Sequence, residues 1–242
     1  MPHLAKEEEI LQSGFALIRG VMDHDTQEAL RATLGEVEGA GRRGLLRLPA
    51  VSALALSERW LGLIRPHLPA EPRPVRAIYF DKSAHANWGV AWHQDLTIAL
   101  QARVEVAGFG PWSMKDGVPH VQPPTELLEQ MLTVRLHLDD ADHTNGALRV
   151  LPGSHRLGRL TAERIQELRA SQVDVLCTAA AGDALFMRPL LLHASNRSTS
   201  TRHRRVLHIE YAGFSLPEVL RWAEAAGHAA EASREITSNY CP

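Results

Sequence analysis

The chain has 242 residues, 45% of them hydrophobic and 22% charged, with a formal net charge of -2. A packed globular core is expected from such a composition, and the near-neutral balance argues against nucleic acid or an anionic membrane surface as partner. Two cysteines, Cys177 and Cys241, make no disulfide framework.

The first nine residues are acidic and lack the apolar centre of a signal peptide, and no apolar run reaches the length of a membrane span. A cytoplasmic protein is the expectation. Residues 4–13 read as a helix and Phe15 to Gly20 as a short strand. Asp23 or Asp25 can cap a helix running to about Val37, with Leu30 and Leu34 at helical spacing. Gly39 to Gly44 reads as a mobile loop, Ala50 to Leu68 as two helical pieces, and Pro69 to Pro74 as a proline-rich connector.

From Val75 the pattern turns to strands: Val75 to Phe80, then Trp88 to Asp95. Gly108 to Pro124 is rich in Gly, Pro and polar residues and is too long for a simple turn, which suggests a functional lid that selects substrate or an ordered excursion. Pro124 to Gln130 suggests a short helix, and Met131 to Asp139 a strand of strict alternation. Asn145-Gly146 signals a turn before a strand from Ala147 to Leu151, which Pro152-Gly153 ends. Thr161 caps a helix to about Ala170. Val173 to Cys177, Ala184 to Arg188 and Arg204 to Tyr211 complete the strands, and Pro217 to Ala226 reads as a last helix. Helices come first and short strands follow, without βαβ alternation. That order predicts a mainly β fold, a sandwich or jelly roll with helices packed on one sheet.

Two strands indicate which side carries chemistry. Leu132, Val134, Leu136 and Leu138 form an apolar face, opposite Thr133, Arg135, His137 and Asp139. Leu207, Ile209 and Tyr211 likewise share a face, opposite Arg204, Val206, His208 and Glu210. An antiparallel strand ordinarily turns its polar face to solvent. In a jelly roll whose outer sheet face packs on helices, that face instead points inside, where a metal or bound anion would be its reason.

Trp92-His93-Gln94-Asp95 is the stretch with metal-site character. Positions i and i+2 of a strand share a side, so His93 and Asp95 can reach one ion while Gln94 points away. His193, at the end of Leu190-Leu191-Leu192, is the best third donor. Taken alone, so apolar a run favours a hydrogen-bonded core histidine, and His137 and His143 compete by composition. Two histidines and one carboxylate leave open positions on an octahedral ion, which suits non-haem Fe(II).

Order and surroundings strengthen the signal. The matched segments are Trp92-His93-Gln94-Asp95, Asn145 to His155, Gly182-Asp183, His193-Ala194-Ser195-Asn196-Arg197-Ser198 and Arg204. In that order, across about residues 75–211, the chain resembles the phytanoyl-CoA dioxygenase family of Fe(II)- and 2-oxoglutarate-dependent oxygenases. The resemblance implies a double-stranded β-helix (jelly roll, cupin-like) in one domain: residues 1–74 as helical support, 75–211 as core, 212–242 as a helix and tail.

It also implies that His93, Asp95 and His193 bind iron and that Arg204 pairs with the far carboxylate of 2-oxoglutarate, for which a guanidinium offers a bidentate fork. Alternation puts Arg204 with His208 and Arg205 with the apolar face, and Arg202 precedes the strand. Ser195 shares the side of His193 and can join Arg204; Arg135 and His137 can contact cosubstrate. Gln94, Trp112, His155 and Lys82 are candidates against substrate, although a lysine in the place of Lys82 is ordinarily solvated. The implied activity uses O2 and couples decarboxylation of 2-oxoglutarate, to succinate and CO2, to hydroxylation of a small organic molecule. Asp95 is retained where related halogenases carry a small residue, which favours hydroxylation. A monomer or homodimer acting on a small molecule, without nucleic acid or membrane, is expected. The alternatives are a metalloenzyme of the same fold that does not use 2-oxoglutarate, and a silent small-molecule-binding protein.

Overall fold

A computed structural model describes residues 2–37, 39 and 41–224. Helix α1 (Pro2–Ser13) leads into β1 (Phe15–Ile18), followed by α2 (His24–Leu34), α3 (Pro49–Leu56) and α4 (Glu58–Ile64). Then come β2 (Arg73–Lys82), β3 (Val90–His93), β4 (Ile98–Ala99), β5 (Trp112–Lys115), β6 (Val118–Val121) and the one-turn α5 (Thr125–Leu128). The remainder is β7 (Met131–His137), β8 (Leu148–Val150), α6 (Ala162–Ser171), β9 (Val175–Cys177), β10 (Ala184–Met187), β11 (His193–Ser195) and β12 (Arg204–Ala212). Among the described residues, no helix is long and apolar enough to cross a membrane.

Local chemistry sets several of these boundaries. Asp23 accepts from the Thr26 N–H and Thr161 from the Arg164 N–H, so each caps a helix that would otherwise begin with unpaired donors. Helix α2 stops at Leu34, short of the expected Val37. Gly35 adopts φ 61° there and returns its N–H to the Arg31 carbonyl.

The strands form a jelly roll of antiparallel sheets. A major sheet runs β1-β10-β7-β12-β2, a minor one β3-β11-β8-β9, and a small third sheet β4-β6-β5. On the outside of the major sheet, Leu132, Val134 and Leu136 of β7 and Leu207, Ile209 and Tyr211 of β12 pack on Ile10, Leu30, Leu34, Val51, Trp60 and Ile64 from the four N-terminal helices. The Tyr211 hydroxyl donates to the Ala55 carbonyl at 3.2 Å, tying α3 to β12. With that face occupied, the even-numbered side chains of β12 and the odd-numbered ones of β7 must point between the sheets. The polar faces of those two strands are therefore inside.

Four expectations need correction. The excursion 108–124 holds a hairpin, β5–β6, turned by Asp116 (φ 50°) and Gly117 (φ 77°). The glycine-rich loop near residue 40 is pinned: the Arg42 N–H donates to the Tyr79 carbonyl at 2.8 Å, and Tyr79 returns its own at 2.9 Å. No helix forms over Pro217–Glu224, where Trp222 instead bridges Leu100; residues 225 and 226 lie outside the described part. Asp139 lies beyond the end of β7 and turns outward to chelate Arg205, at 2.7 Å to both Nε and Nη2, so it is lost from the inner face.

Leu136 is fully buried in the helix-facing core. Leu136→Ala is expected to cost about 2–5 kcal/mol, read as a lowered denaturant midpoint with unchanged slope. Leu157→Ala, at a site 47% exposed, should move the midpoint by little. Equal effects would mean that the outer face of β7 is not core.

Candidate metal centre

Strand pairing brings the donors together. Strands β3 and β11 run antiparallel with His93 directly opposite His193, their ring centroids 4.2 Å apart. Strand β3 ends at His93, two residues before the expected end at Asp95. The Asp95 N–H donates to the Pro189 carbonyl at 2.9 Å, which holds the carboxylate against both rings. Asp95 Oδ1 is 3.8 Å from His93 Nε2, and Oδ2 is 3.7 Å from His193 Nε2. All three ligand atoms lie within 4.8 Å of one another, a spacing for a shared ion rather than for hydrogen bonds.

The imidazoles are set for ligation. His93 Nδ1 lies 2.8 Å from the Ala91 carbonyl, and His193 Nδ1 lies 2.8 Å from that of Leu191. A carbonyl only accepts, so Nδ1 carries the proton in each ring and Nε2 presents its lone pair toward Asp95. Burial pushes His193 down to about 4, against the pull of Asp95, so its ring is neutral at pH 7. Burial alone would raise the Asp95 carboxyl, but His193 first, then His208, His93 and Arg76, hold it below the ordinary range.

The far end of the same cavity is cationic. Arg204 on β12 stands opposite Lys82 on β2, and Arg135 on β7 opposite His208. Arg204 is 3% exposed, and its Nε and Nη1 are buried with no hydrogen-bond partner among the described residues. Burial, reinforced by Arg135, pushes it down to about 9. Lys82 is fully buried, contrary to the solvated reading. Its Nζ donates to the Asn196 carbonyl at 2.6 Å and to Ser195 Oγ at 3.3 Å, and lies 5.3 Å from the centre of the Trp88 ring. Burial first, then Arg204 and Arg135, push it down to about 7. Arg135 donates to His208 Nδ1 at 3.0 Å, and His208 Nε2 donates to Glu210 at 3.2 Å. Glu210 in turn pairs with Arg76.

A cavity of about 170 Å³ joins the two ends, lined by the His93–Asp95–His193 group together with Arg135, Ser195 and Arg204. Buried guanidinium donors without an anion are costly, so this end is built to receive one. Two imidazoles and one carboxylate, with no thiolate, are a donor set that fits iron(II) with open positions.

The remaining candidates lie elsewhere. Gln94 does not line the cavity: its Nε2 donates to the Gly158 and Leu190 carbonyls at 2.9 and 2.7 Å, and its Oε1 accepts from the Leu160 N–H at 2.8 Å. His155 packs against α1, its Nε2 donating to the Leu11 carbonyl at 3.2 Å. Trp112 packs on the apolar cluster of Ile98 and Val121, beneath Arg103. His137 is buried beside Arg135 and Arg204 without lining the cavity, and burial pushes it down to about 3. Sequence reasoning assigned no role to Arg76, although it shares the inner side of β2 with Ile78 and Phe80 at alternate positions.

Gln94 clamps the chain on either side of the donors, so it acts on metal affinity from a distance. Gln94→Leu is expected to weaken Fe(II) or Co(II) binding about 10–100-fold with little loss of fold, measured by anaerobic titration. Unchanged affinity would reduce Gln94 to a packing role.

Comparisons with known proteins place the chain in a family. An L-proline trans-4-hydroxylase from Streptomyces griseoviridis is 27% identical over 196 residues, 69% of this chain and 61% of that enzyme, so the match spans under two thirds of its length. The crystal structure of AviO1 from Streptomyces viridochromogenes Tue57 superposes with a TM-score of 0.64 at 22% identity, over 89% of this chain and 96% of that one. HygX from Streptomyces hygroscopicus, with nickel and 2-oxoglutarate bound, gives 0.64 at 19% identity over 88% of each chain. Residues 10–206 match the family described as phytanoyl-CoA dioxygenase (PhyH), and this chain belongs to that family.

Proposed function

We propose that the protein is an Fe(II)- and 2-oxoglutarate-dependent oxygenase that hydroxylates a small organic substrate. One observation carries the reading: the unpartnered, buried Arg204 guanidinium opens into the same narrow cavity as His93, Asp95 and His193. A 2-oxoglutarate molecule has complementary ends, a keto acid for a metal and a distant carboxylate for a cation. HygX, which shares the fold, was crystallised with 2-oxoglutarate and a metal.

His93, Asp95 and His193 would hold the iron and leave coordination positions open for ligands. Iron(II) bound there would supply the redox chemistry, coupling loss of CO2 from 2-oxoglutarate, which leaves succinate, to insertion of one atom of O2 into a substrate C–H bond. The chain's own residues bind and orient. Arg204 and Ser195 grip the far carboxylate, and Lys82 adds charge through Ser195. Arg135 holds the positive field while its donor to His208 fixes its orientation. Ile78, Phe80, Trp88 and Leu148 wall the cavity against water, which strengthens each of those contacts. Asp95 occupies the carboxylate position that halogenation would need vacant, so hydroxylation is the assigned outcome.

Anaerobic titration with Fe(II) and 2-oxoglutarate should produce a weak metal-to-ligand charge-transfer band in the visible. In Arg204→Ala the 2-oxoglutarate Kd should rise about thirtyfold or more with metal affinity kept, because one partner of a buried charge pair is gone. An unchanged Kd would leave a metalloenzyme of this fold that does not use 2-oxoglutarate.

Lys82 makes the same affinity depend on pH. Its ammonium is present below about 7 and aids a dianion. Above that pH the empty site gives up a proton that the occupied site retains, so Kd should rise between pH 7 and 9. Lys82→Met should flatten this rise, and a profile identical to the parent's would remove Lys82 from the anion end.

A further inference from the structure

A second and larger cavity, about 1120 Å³, lies on the other side of Arg76, which lines both. It is several times roomier than a free amino acid requires and falls at the upper end of pockets for drug-sized ligands. One wall is apolar, from Pro49, Ala53 and Leu56 at α3. Charged side chains stand among the rest of the lining, and they are unequally engaged. Arg43 pairs with Asp116, and Arg76 with Glu210. The Glu224 carboxylate accepts from the Leu46 and Ala77 N–H groups at 3.1 and 3.3 Å.

Arg47 also lines the chamber but is exposed, and two lining groups have buried polar atoms without a partner among the described residues. Arg42 Nε and Nη2 are buried with no partner among the described residues. Its backbone is clamped to Tyr79 on the edge of β2, and the chain can approach so closely because residue 41 is glycine: a Cβ there would stand 2.7 Å from the Tyr79 carbonyl oxygen. His120 is 1% exposed. Its Nδ1 donates to the Val118 carbonyl at 2.9 Å, which leaves Nε2 a buried acceptor without a donor. A buried guanidinium short of an acceptor, on a clamped backbone, and an imidazole short of a donor, lining one chamber with an apolar wall, describe a ligand.

We propose that this chamber takes the primary substrate, and that the substrate is a drug-sized organic acid whose anionic group is held by Arg42. Its apolar body lies along α3, a hydroxyl or N–H donates to His120 Nε2, and the carbon to be oxidised extends past Arg76 toward the metal cavity. The word substrate rests on the oxygenase reading above; the chemistry of the ligand rests on the chamber alone.

A matched pair of dyes tests it in the metal-free full chain. 8-Anilinonaphthalene-1-sulfonate carries an anionic group on an apolar body, and N-phenyl-1-naphthylamine is the same body without it. The wild type should bind the sulfonate at one site about tenfold or more tighter than the neutral dye, a preference of the size a charge-assisted contact gives. Arg42→Met should abolish that preference and leave the neutral dye's affinity alone, while Arg204→Ala should keep it. 1-Naphthoate and 1-naphthyl phosphate should each displace the sulfonate, and the tighter one identifies the natural headgroup. Equal affinity for the two dyes in the wild type, which needs no variant to fold, overturns the inference. So does a preference lost with Arg204 and not with Arg42, or a sulfonate that neither competitor displaces. Because no metal enters the measurement, these outcomes are separate from those of the 2-oxoglutarate titration.

Discussion

The constraint on which the rest of the structure depends is the pairing of two short strands. Strands β3 and β11 contribute 4 and 3 residues, yet their register places His93 against His193 with no helix or loop to adjust it. A slip of one residue would turn either imidazole to the other side of the sheet. The register is held from several directions. Leu192 donates its N–H to Ser154 Oγ and Leu151 donates to the Leu192 carbonyl, which fixes the approach to β11. Gln94 fastens the exit from β3 to Leu190 and to the segment Gly158–Leu160. The residue between two donors thus serves the site by facing away from it.

The inner cavity is where the fold gives up stability. Arg204, Lys82 and Arg135 are all buried, and among the described residues no carboxylate forms an ion pair with any of them. Burial lowers the affinity of each for its proton, and this is the sign of the cost: the charged forms are disfavoured until an anion arrives. The outside of the same sheet supplies compensation, with β7 and β12 packing Leu, Val, Ile and Tyr on four helices. Both effects follow from one alternation of side chains. A strand that carries Leu132, Val134 and Leu136 can carry Arg135 and His137 only because its apolar half is fully covered.

That alternation is why so much was legible in the sequence. His93-x-Asp95 announced a shared direction, and the choice of Arg204 over Arg205 needed only parity. What stayed hidden was of another kind. The polar face of β7 alone cannot say that Asp139 leaves the sheet for Arg205, since strand ends are set by partners and not by pattern. The hairpin β5–β6 reads as loop because Ser113, Lys115 and Pro119 carry little strand propensity; it forms by pairing with β4. Gln94 lies between two donors in the chain, His155 ends a segment matched to the family and Trp112 lies in the excursion read as a lid, yet none of the three lines the inner cavity. Lys82 was misjudged in the other direction. A lysine at a strand end is ordinarily solvated, and only the facing β12 and the Asn196 carbonyl bury it.

Arg76 brings the two cavities into one argument. It lines both, and its guanidinium is tied to Glu210, which is tied through His208 to Arg135 at the anion end of the inner cavity. The chain of contacts is buried throughout, so a charge placed at one end is felt at the other with little screening. Arg76 also helps to hold Asp95 ionised. Arg135 lines the inner cavity beside Arg204, and the same network reaches the wall of the outer chamber at Arg76. The wall between the two cavities is therefore not inert packing. It is a charged boundary, shared by both cavities at Arg76 and tied by buried contacts to the anion end of the inner one.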